Sequence, residues 1–380
     1  MKKMISLAAM FAALSYASPA SAELNIGGDA SVRFRNTSDT GNQTTDNNAW
    51  YYRLNLRAAA DLGDGYYFKA LATNETDQAG GWQRVQYGNT EVYNLQLSQV
   101  YFGHNSSCDH YAIGRIPLGS VNNPIYDLAF YPTQPLDIPV ATINLDRIYA
   151  ANYGHKVGEG QLNATIAVLD DNSKGNALGS GDGLFNDGYA LITSYKFNVG
   201  NVTLDPQVAY VLTKADVWQQ TATGTSGGPI HYGFRPVTFG TNVAVPVGGI
   251  KWTASAFYTR GSGTTPVGAP TLIGTPAVQV SVPGATTNYF GDLFRIKAEY
   301  GPFMAWYDHN STTDKSTAVR QEYTNNFIWA QYKISVHESA KGTVSIYPTL
   351  RYLSSKSDSA GVHNPDNTRL RSELIATVTF

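Results

Sequence analysis

Thr368-Arg369-Leu370-Arg371-Ser372-Glu373-Leu374-Ile375-Ala376-Thr377-Val378-Thr379-Phe380 is the last stretch of the chain, and its two faces differ in kind. Successive residues of a strand point to opposite sides. Leu370, Ser372, Leu374, Ala376, Val378 and Phe380 therefore share one face, and Arg369, Arg371, Glu373 and Thr377 share the other. An arginine or lysine facing lipid at the bilayer midplane costs about 2–4 kcal/mol. The apolar face is predicted to meet hydrocarbon and the arginines to point into a lumen.

The same alternation recurs upstream. Between residues 24 and 36, Ile26, Gly28, Ala30, Val32 and Phe34 oppose Asp29, Ser31, Arg33 and Arg35. Between 49 and 61, Tyr52, Leu54, Leu56, Ala58 and Ala60 oppose Tyr51, Arg53, Asn55 and Arg57. Followed to the end, the pattern predicts sixteen strands whose connections are alternately long and short. Antiparallel hairpins then place every long loop at one end and every short turn at the other, as in outer-membrane barrels. An even strand number lets the first strand pair with the last, which leaves no open edge. The expected fold is all-β: a sixteen-stranded antiparallel transmembrane β-barrel. A secreted β-sandwich is the competing fold, and its shorter strands fit less well. Aromatic residues near strand ends, among them Trp50, Tyr51, Tyr52, Tyr66, Tyr67, Tyr289, Phe290, Trp306 and Tyr307, are expected to form interfacial girdles.

The N-terminus carries Lys2 and Lys3, an apolar run, and Ala20-Ser21-Ala22, the arrangement of a secretory signal. Residues 1–22 are expected to be that signal and 23–380 the barrel domain. Its removal leaves 25 basic and 29 acidic residues, a balance without the footprint of a nucleic-acid binder. Charged residues are 15% of the chain against about 25% in soluble domains. No later apolar run reaches the length of a helical span. The single cysteine, Cys108, forms no internal disulfide.

One connection stands apart. Between Tyr111-Ala-Ile-Gly-Arg115 and Arg147-Ile-Tyr-Ala-Ala-Asn-Tyr153 lies an insertion with five prolines, the acids Asp127, Asp137 and Asp146, and the apolar set Ile125, Tyr126, Leu128, Phe130 and Tyr131. Loops of this length are functional or disordered, and this one is too apolar for a solvated tail. Residues 116–146 are expected to fold into the lumen as the third external loop and set the pore's width.

Enzymatic and cofactor chemistry finds little support. The seven histidines fall at different turns and loops, so no Ser-His-Asp set converges. Asp170-Asp-Asn172-Ser-Lys174-Gly175 imitates a calcium loop but has Lys174 and Gly181 where ligands belong. No haem or nucleotide motif occurs. The sequence predicts no enzyme, no cofactor and no metal site.

In Ile113-Gly-Arg115 before the long loop, in Arg147, Tyr149 and Asn152-Tyr153 after it, and in the terminal Thr379-Phe380, the chain resembles the sixteen-stranded general diffusion porins of bacterial outer membranes. The resemblance implies a channel for passive diffusion of small hydrophilic solutes and ions, usually a homotrimer in contact with outer-membrane lipid and lipopolysaccharide. It also implies an eyelet in which acids of the third loop face basic residues of the wall. Closure makes neighbours of Arg33, Arg35, Arg53, Arg57, Arg369 and Arg371, with Arg115 and Arg147 as further candidates. Asp127, Asp137 and Asp146 are the opposing acids. Pro132-Thr-Gln-Pro135-Leu-Asp-Ile-Pro139 replaces the Pro-Glu-Phe-Gly-Gly stretch of enterobacterial porins. A substrate-selective barrel, or a scaffold sheltering a partner protein, is the alternative.

Overall fold

The computed structural model describes residues 23–40, 45–74, 82–85, 95–117, 123–130, 147–170, 188–211, 215–220, 226–232, 237–264, 270–273, 278–281, 286–315 and 319–380. Residues 1–22 lie outside that set, as does most of the insertion.

Sixteen strands form one closed antiparallel barrel. They are β1 (Glu23–Thr40), β2 (Thr45–Gly63), β3 (Tyr66–Thr73), β4 (Gln96–Asn105), β5 (Asp109–Pro117), β6 (Arg147–Val157), β7 (Gly160–Asp170) and β8 (Gly188–Val199). The second half comprises β9 (Val202–Val211), β10 (Val237–Val247), β11 (Ile250–Thr264), β12 (Thr286–Tyr300), β13 (Phe303–Asp314), β14 (Gln321–Tyr332, continued by Ile334–Ser339), β15 (Gly342–Ser359) and β16 (Asn367–Thr379). Each strand pairs with its sequence neighbour. The seam closes where β1 pairs with β16 from Asp29 opposite Thr379 to Thr40 opposite Thr368. Gly28 and Phe380 extend it with two backbone hydrogen bonds of 2.8 and 3.0 Å.

The expected alternation of connections is present. At one end, turns of two or three residues join the strands. Among the two-residue hairpins that follow the sheet's twist, the type I′ turn needs positive φ at both central positions. Asp64 and Gly65 supply φ of 51° and 83°, and Gly248 and Gly249 supply 58° and 80°. At the other end, several strands run longer than the sequence predicts, because polar Ser, Thr and Asn extend the ladders of β1–β2 and β12–β13 where no apolar face marks them. Small hairpins, Ala215–Gln220 with Ser226–Tyr232 and Pro270–Ile273 with Val278–Ser281, occupy stretches expected to be loops.

The barrel is inverted relative to a soluble protein. Val32, Val208, Phe239, Ile296, Ile328 and Leu374 are exposed on its outer face. Asp29, Ser31, Arg33, Gln207, Asn242, Ser255, Arg295, Asp308, Asn325 and Glu373 are buried on the opposite parity. That is the division a bilayer-spanning barrel requires, since its backbone groups are satisfied between strands and its outer side chains meet lipid. Trp50 and Tyr66 lie exposed on the outside as expected, but Trp306 and Tyr289 are buried on lumen-facing positions and are no part of a girdle. Trp306 stacks on Trp329, ring centroids 4.1 Å apart.

Inside the insertion a short helix, α1 (Ile125–Phe130), appears where the sequence shows no period. Its Ile125 and Leu128 are fully buried, in a cluster with Ile116, Ile148, Ala209, Phe257 and Leu293. Asn123 donates a 2.7 Å hydrogen bond to Gln207 Oε1, and Asn242 donates to Asn123 Oδ1 at 3.4 Å. Gln207 and Asn242 alternate with the outward-facing Val208 and with Val243, so Asn123 and the start of α1 sit against the inner wall formed by β9 to β12. Residues 118–122 and 131–146 fall outside the described set.

Candidate pore lining

On β1, the sequence alternation turns Arg33 and Arg35 inward, and the register sets Arg35 opposite Glu373 of β16. Arg35 Nε donates to Glu373 Oε1. Arg33 Nη1 lies 3.6 Å from that same oxygen, and Arg351 Nη2 of β15 is 2.8 Å from Oε2. Three guanidinium groups from two strands thus converge on one carboxylate whose side chain is fully buried. Charge-assisted contacts of this kind hold position strongly, and leaving any member unpaired in the interior is costly.

A second carboxylate, Asp29, gathers Arg57 at 2.5 Å and Arg53 at 3.7 Å. Asn55 donates to both of its oxygens, at 3.0 and 3.3 Å. Arg369 Nε donates to Asp39 at 2.6 Å, and Arg371 stands in register between Arg351 and Thr37. On this wall, the described residues bring together seven guanidiniums and three carboxylates. The arginines are not equivalent. The side chains of Arg33 and Arg35 are 4% and 10% exposed, whereas those of Arg53 and Arg57 are 33% and 52% exposed. Arg57 therefore faces open solvent and Arg53 is partly open, while Arg33 and Arg35 are tied into the wall.

Two residues that sequence reasoning missed complete the cluster. Arg351 could have been found by carrying the inward parity of β16 one strand further, through the pairing of Thr349 with Glu373. Trp82 could not, because it belongs to a long polar connection. There Gln83 and Arg84 pair with Tyr52 and Tyr51, and Val85 N–H donates to Trp50 O at 2.9 Å. This places the Trp82 ring 4.1 Å from the Arg33 guanidinium carbon and 4.8 Å from that of Arg53. Tyr51 lies 4.4 Å from Arg33 and 5.0 Å from Arg35.

The other candidates fare differently. Arg115 shares the parity of Ile113, which is 43% exposed on the outer face, and stands in register with the outward Tyr149. It lies 5.3 Å from the Tyr149 ring, and its Nη1 donates to Leu97 O at 3.4 Å. Arg115 is thus corrected from the lumen to the outer face: in β5 the alternation runs through Ile113 to Arg115 without a break. Arg147 opens β6 buried, opposite Pro117, away from the β16–β1–β2 cluster. Asp137 and Asp146 lie outside the described residues, and so does the side chain of Asp127.

On the neighbouring strands β11 to β13 the balance is different. Arg295 makes a two-point contact with Asp308, 2.6 and 2.7 Å, and Glu299 takes Lys297 at 3.2 Å and Lys251 at 3.4 Å. Among the described residues, no group of His, Cys, Asp and Glu has the geometry to hold a metal ion.

No family model matches the chain, and no curated protein matches it in sequence. Solved structures do match in fold. OmpT, an outer membrane protein of Vibrio cholerae, aligns with a TM-score of 0.55 at 9% identity, over 96% of this chain and 99% of its own. The outer membrane channel DcaP of Acinetobacter baumannii aligns with a TM-score of 0.55 at 13% identity, with coverages of 96% and 99%. An anion-selective porin from Comamonas acidovorans aligns with a TM-score of 0.52 at 10% identity, with coverages of 94% and 99%. The chain has the fold of these outer-membrane channels and porins. With its apolar outer face, it is a multi-pass transmembrane β-barrel of the outer-membrane type.

Proposed function

We propose that this barrel is a passive outer-membrane channel for small hydrophilic solutes and ions, with a preference for anions. The observation that carries the reading is the excess of guanidiniums over carboxylates on the wall of β15, β16, β1 and β2, with Arg57 open to solvent and Arg53 partly so. Fixed charges at a narrow point favour ions of opposite sign, over a range limited to about 8 to 10 Å at physiological salt. The fold shared with a porin described as anion-selective supports the same reading.

In this proposal residues 1–22 direct export and residues 23–380 form the pore. The segment 116–146 narrows it from within, and its acids, Asp127, Asp137 and Asp146, face the arginines. The lumen-side contacts of Asn123 and α1 support that path. The protein works as a homotrimer embedded in lipid and lipopolysaccharide, as a relative solved in trimer form suggests. Reversal potentials in a salt gradient test the reading. Native channels should open in large ohmic steps with anion preference, and Arg53→Ala with Arg57→Ala should lower that preference. An unchanged or increased anion preference in the double variant would overturn it.

A further inference from the structure

The basic wall is partly covered, and part of the cover comes from the connection between β3 and β4. Trp82–Val85 runs as a strap beside β2, held by the pairing of Gln83 and Arg84 with Tyr52 and Tyr51 and by the Val85 to Trp50 hydrogen bond. Arg84 adds a 3.4 Å bond from Nη2 to Asn47 Oδ1. The strap brings one indole over two guanidiniums that point inward from neighbouring strands, Arg33 about halfway along β1 and Arg53 on β2. Tyr51 stacks on Arg33 as well.

An aromatic face attracts a cation through its quadrupole, and the attraction grows as water is excluded. The indole therefore does two things to the pore. It withdraws part of the charge of Arg33 and Arg53 from passing anions, and it occupies lumen cross-section at the height of the cluster. We propose that Trp82 is a selectivity-determining residue: a second inward element, from a different loop than residues 116–146, that screens the basic wall. The proposal rests on the passive-pore reading above.

Planar-bilayer recordings of the full-length protein test it. Trp82→Ala should raise the anion-to-cation permeability ratio by about two- to five-fold, the factor by which an exposed cation–π contact biases an equilibrium, and should raise conductance. Trp82→Phe, which keeps a ring, should stay near the native value. In an Arg53→Ala background the effect of Trp82→Ala should shrink markedly, since one of its two partners is gone. A purely structural role would loosen the strap without moving the reversal potential. Open channels of unaltered selectivity in Trp82→Ala, or an equal effect with and without Arg53, would overturn the assignment.

A variant that fails to assemble is bypassed by Trp82→Cys with Cys108→Ser. A negatively charged thiol reagent should then alter the single-channel current, and no change on modification would also overturn the proposal. Failure of the pore reading itself would show as silent bilayers with the native protein.

Discussion

Glu373 on the final strand and Arg35 on the first meet in register across the seam of the barrel, joined by a hydrogen bond from Arg35 Nε. Because Arg33 and Arg351 converge on the same buried carboxylate, its removal would leave three guanidiniums facing one another. Breaking a buried pair by deleting one partner costs about 3–5 kcal/mol. Glu373→Ala should lose stability of that order, measured by denaturant unfolding in lipid vesicles. Glu373→Gln, which keeps hydrogen-bonding capacity, should lose less. Native-like midpoints for both variants would show that the seam does not depend on this carboxylate.

The residue beside it tests the orientation of the whole wall. Leu374 is 51% exposed on the outer face, and Thr377 faces inward toward Ser31, with the two hydroxyls 2.9 Å apart. An arginine on the lipid side at midplane costs about 2–4 kcal/mol, while the lumen already accommodates arginines. Leu374→Arg should fold into vesicles with a penalty of that size, and Thr377→Arg should be milder. The reverse order would mean that the faces are exchanged.

How much of this was legible depends on whether a physical constraint bears on both parities of a strand. Hydrocarbon forbids charge on one face, so the inward placement of Arg33, Arg35, Arg53, Arg57, Arg369 and Arg371 follows from alternation alone. For Arg115 the two considerations part: exclusion of charge from hydrocarbon would turn it inward, whereas parity counted from the exposed Ile113 turns it outward, near the end of β5. The family resemblance suggested the lumen, and the register with the outward Tyr149 decides for parity. Alternation says nothing about which loop turns back into the lumen. Trp82 sits in a polar connection whose pairing with Tyr51 and Tyr52 is set by the empty place beyond the end of β3, a tertiary circumstance. The helix α1 is too short to imprint a period, and its apolar residues are bound by the opposite wall instead of by one another.

The connection after β15 carries a pH response. His363 lies outside the membrane-spanning segments, with Nδ1 2.9 Å from Asp358 and Nε2 2.8 Å from Asp366. The bonds to Asp358 and then Asp366 raise its pKa above the usual 6.5. A histidine raised in the folded state adds stability that is complete below its ordinary pKa and disappears as pH climbs through the raised value. The hairpin tip should therefore open more often as pH rises past the usual histidine range. Exchange of the Asn364 amide, which donates to Ser357 O at 2.9 Å, should accelerate beyond the normal base-catalysed trend. His363→Ala should remove that extra dependence, and a native profile in the variant would rule the clamp out.

Stability and selectivity should separate between the two charge clusters. Arg295 and Asp308 have side chains only 3% and 2% exposed and are joined by two hydrogen bonds. Arg295 also lies 5.3 Å from the Trp306 ring. Asp308→Ala strands a buried cation, which costs about 3–5 kcal/mol. Its charge is remote from open solvent, so ions passing through respond weakly. Arg57 is the opposite case: its own side chain is half exposed, and its buried partner Asp29 keeps Asn55 and Arg53 when Arg57 is removed, so little stability is lost, yet it stands where ions pass. Asp308→Ala should lower the unfolding midpoint with a nearly native reversal potential, and Arg57→Ala should shift the reversal potential with a nearly native midpoint. If Asp308→Ala moved selectivity as far as Arg57→Ala, burial would not be what distinguishes a structural charge from a selective one in this lumen.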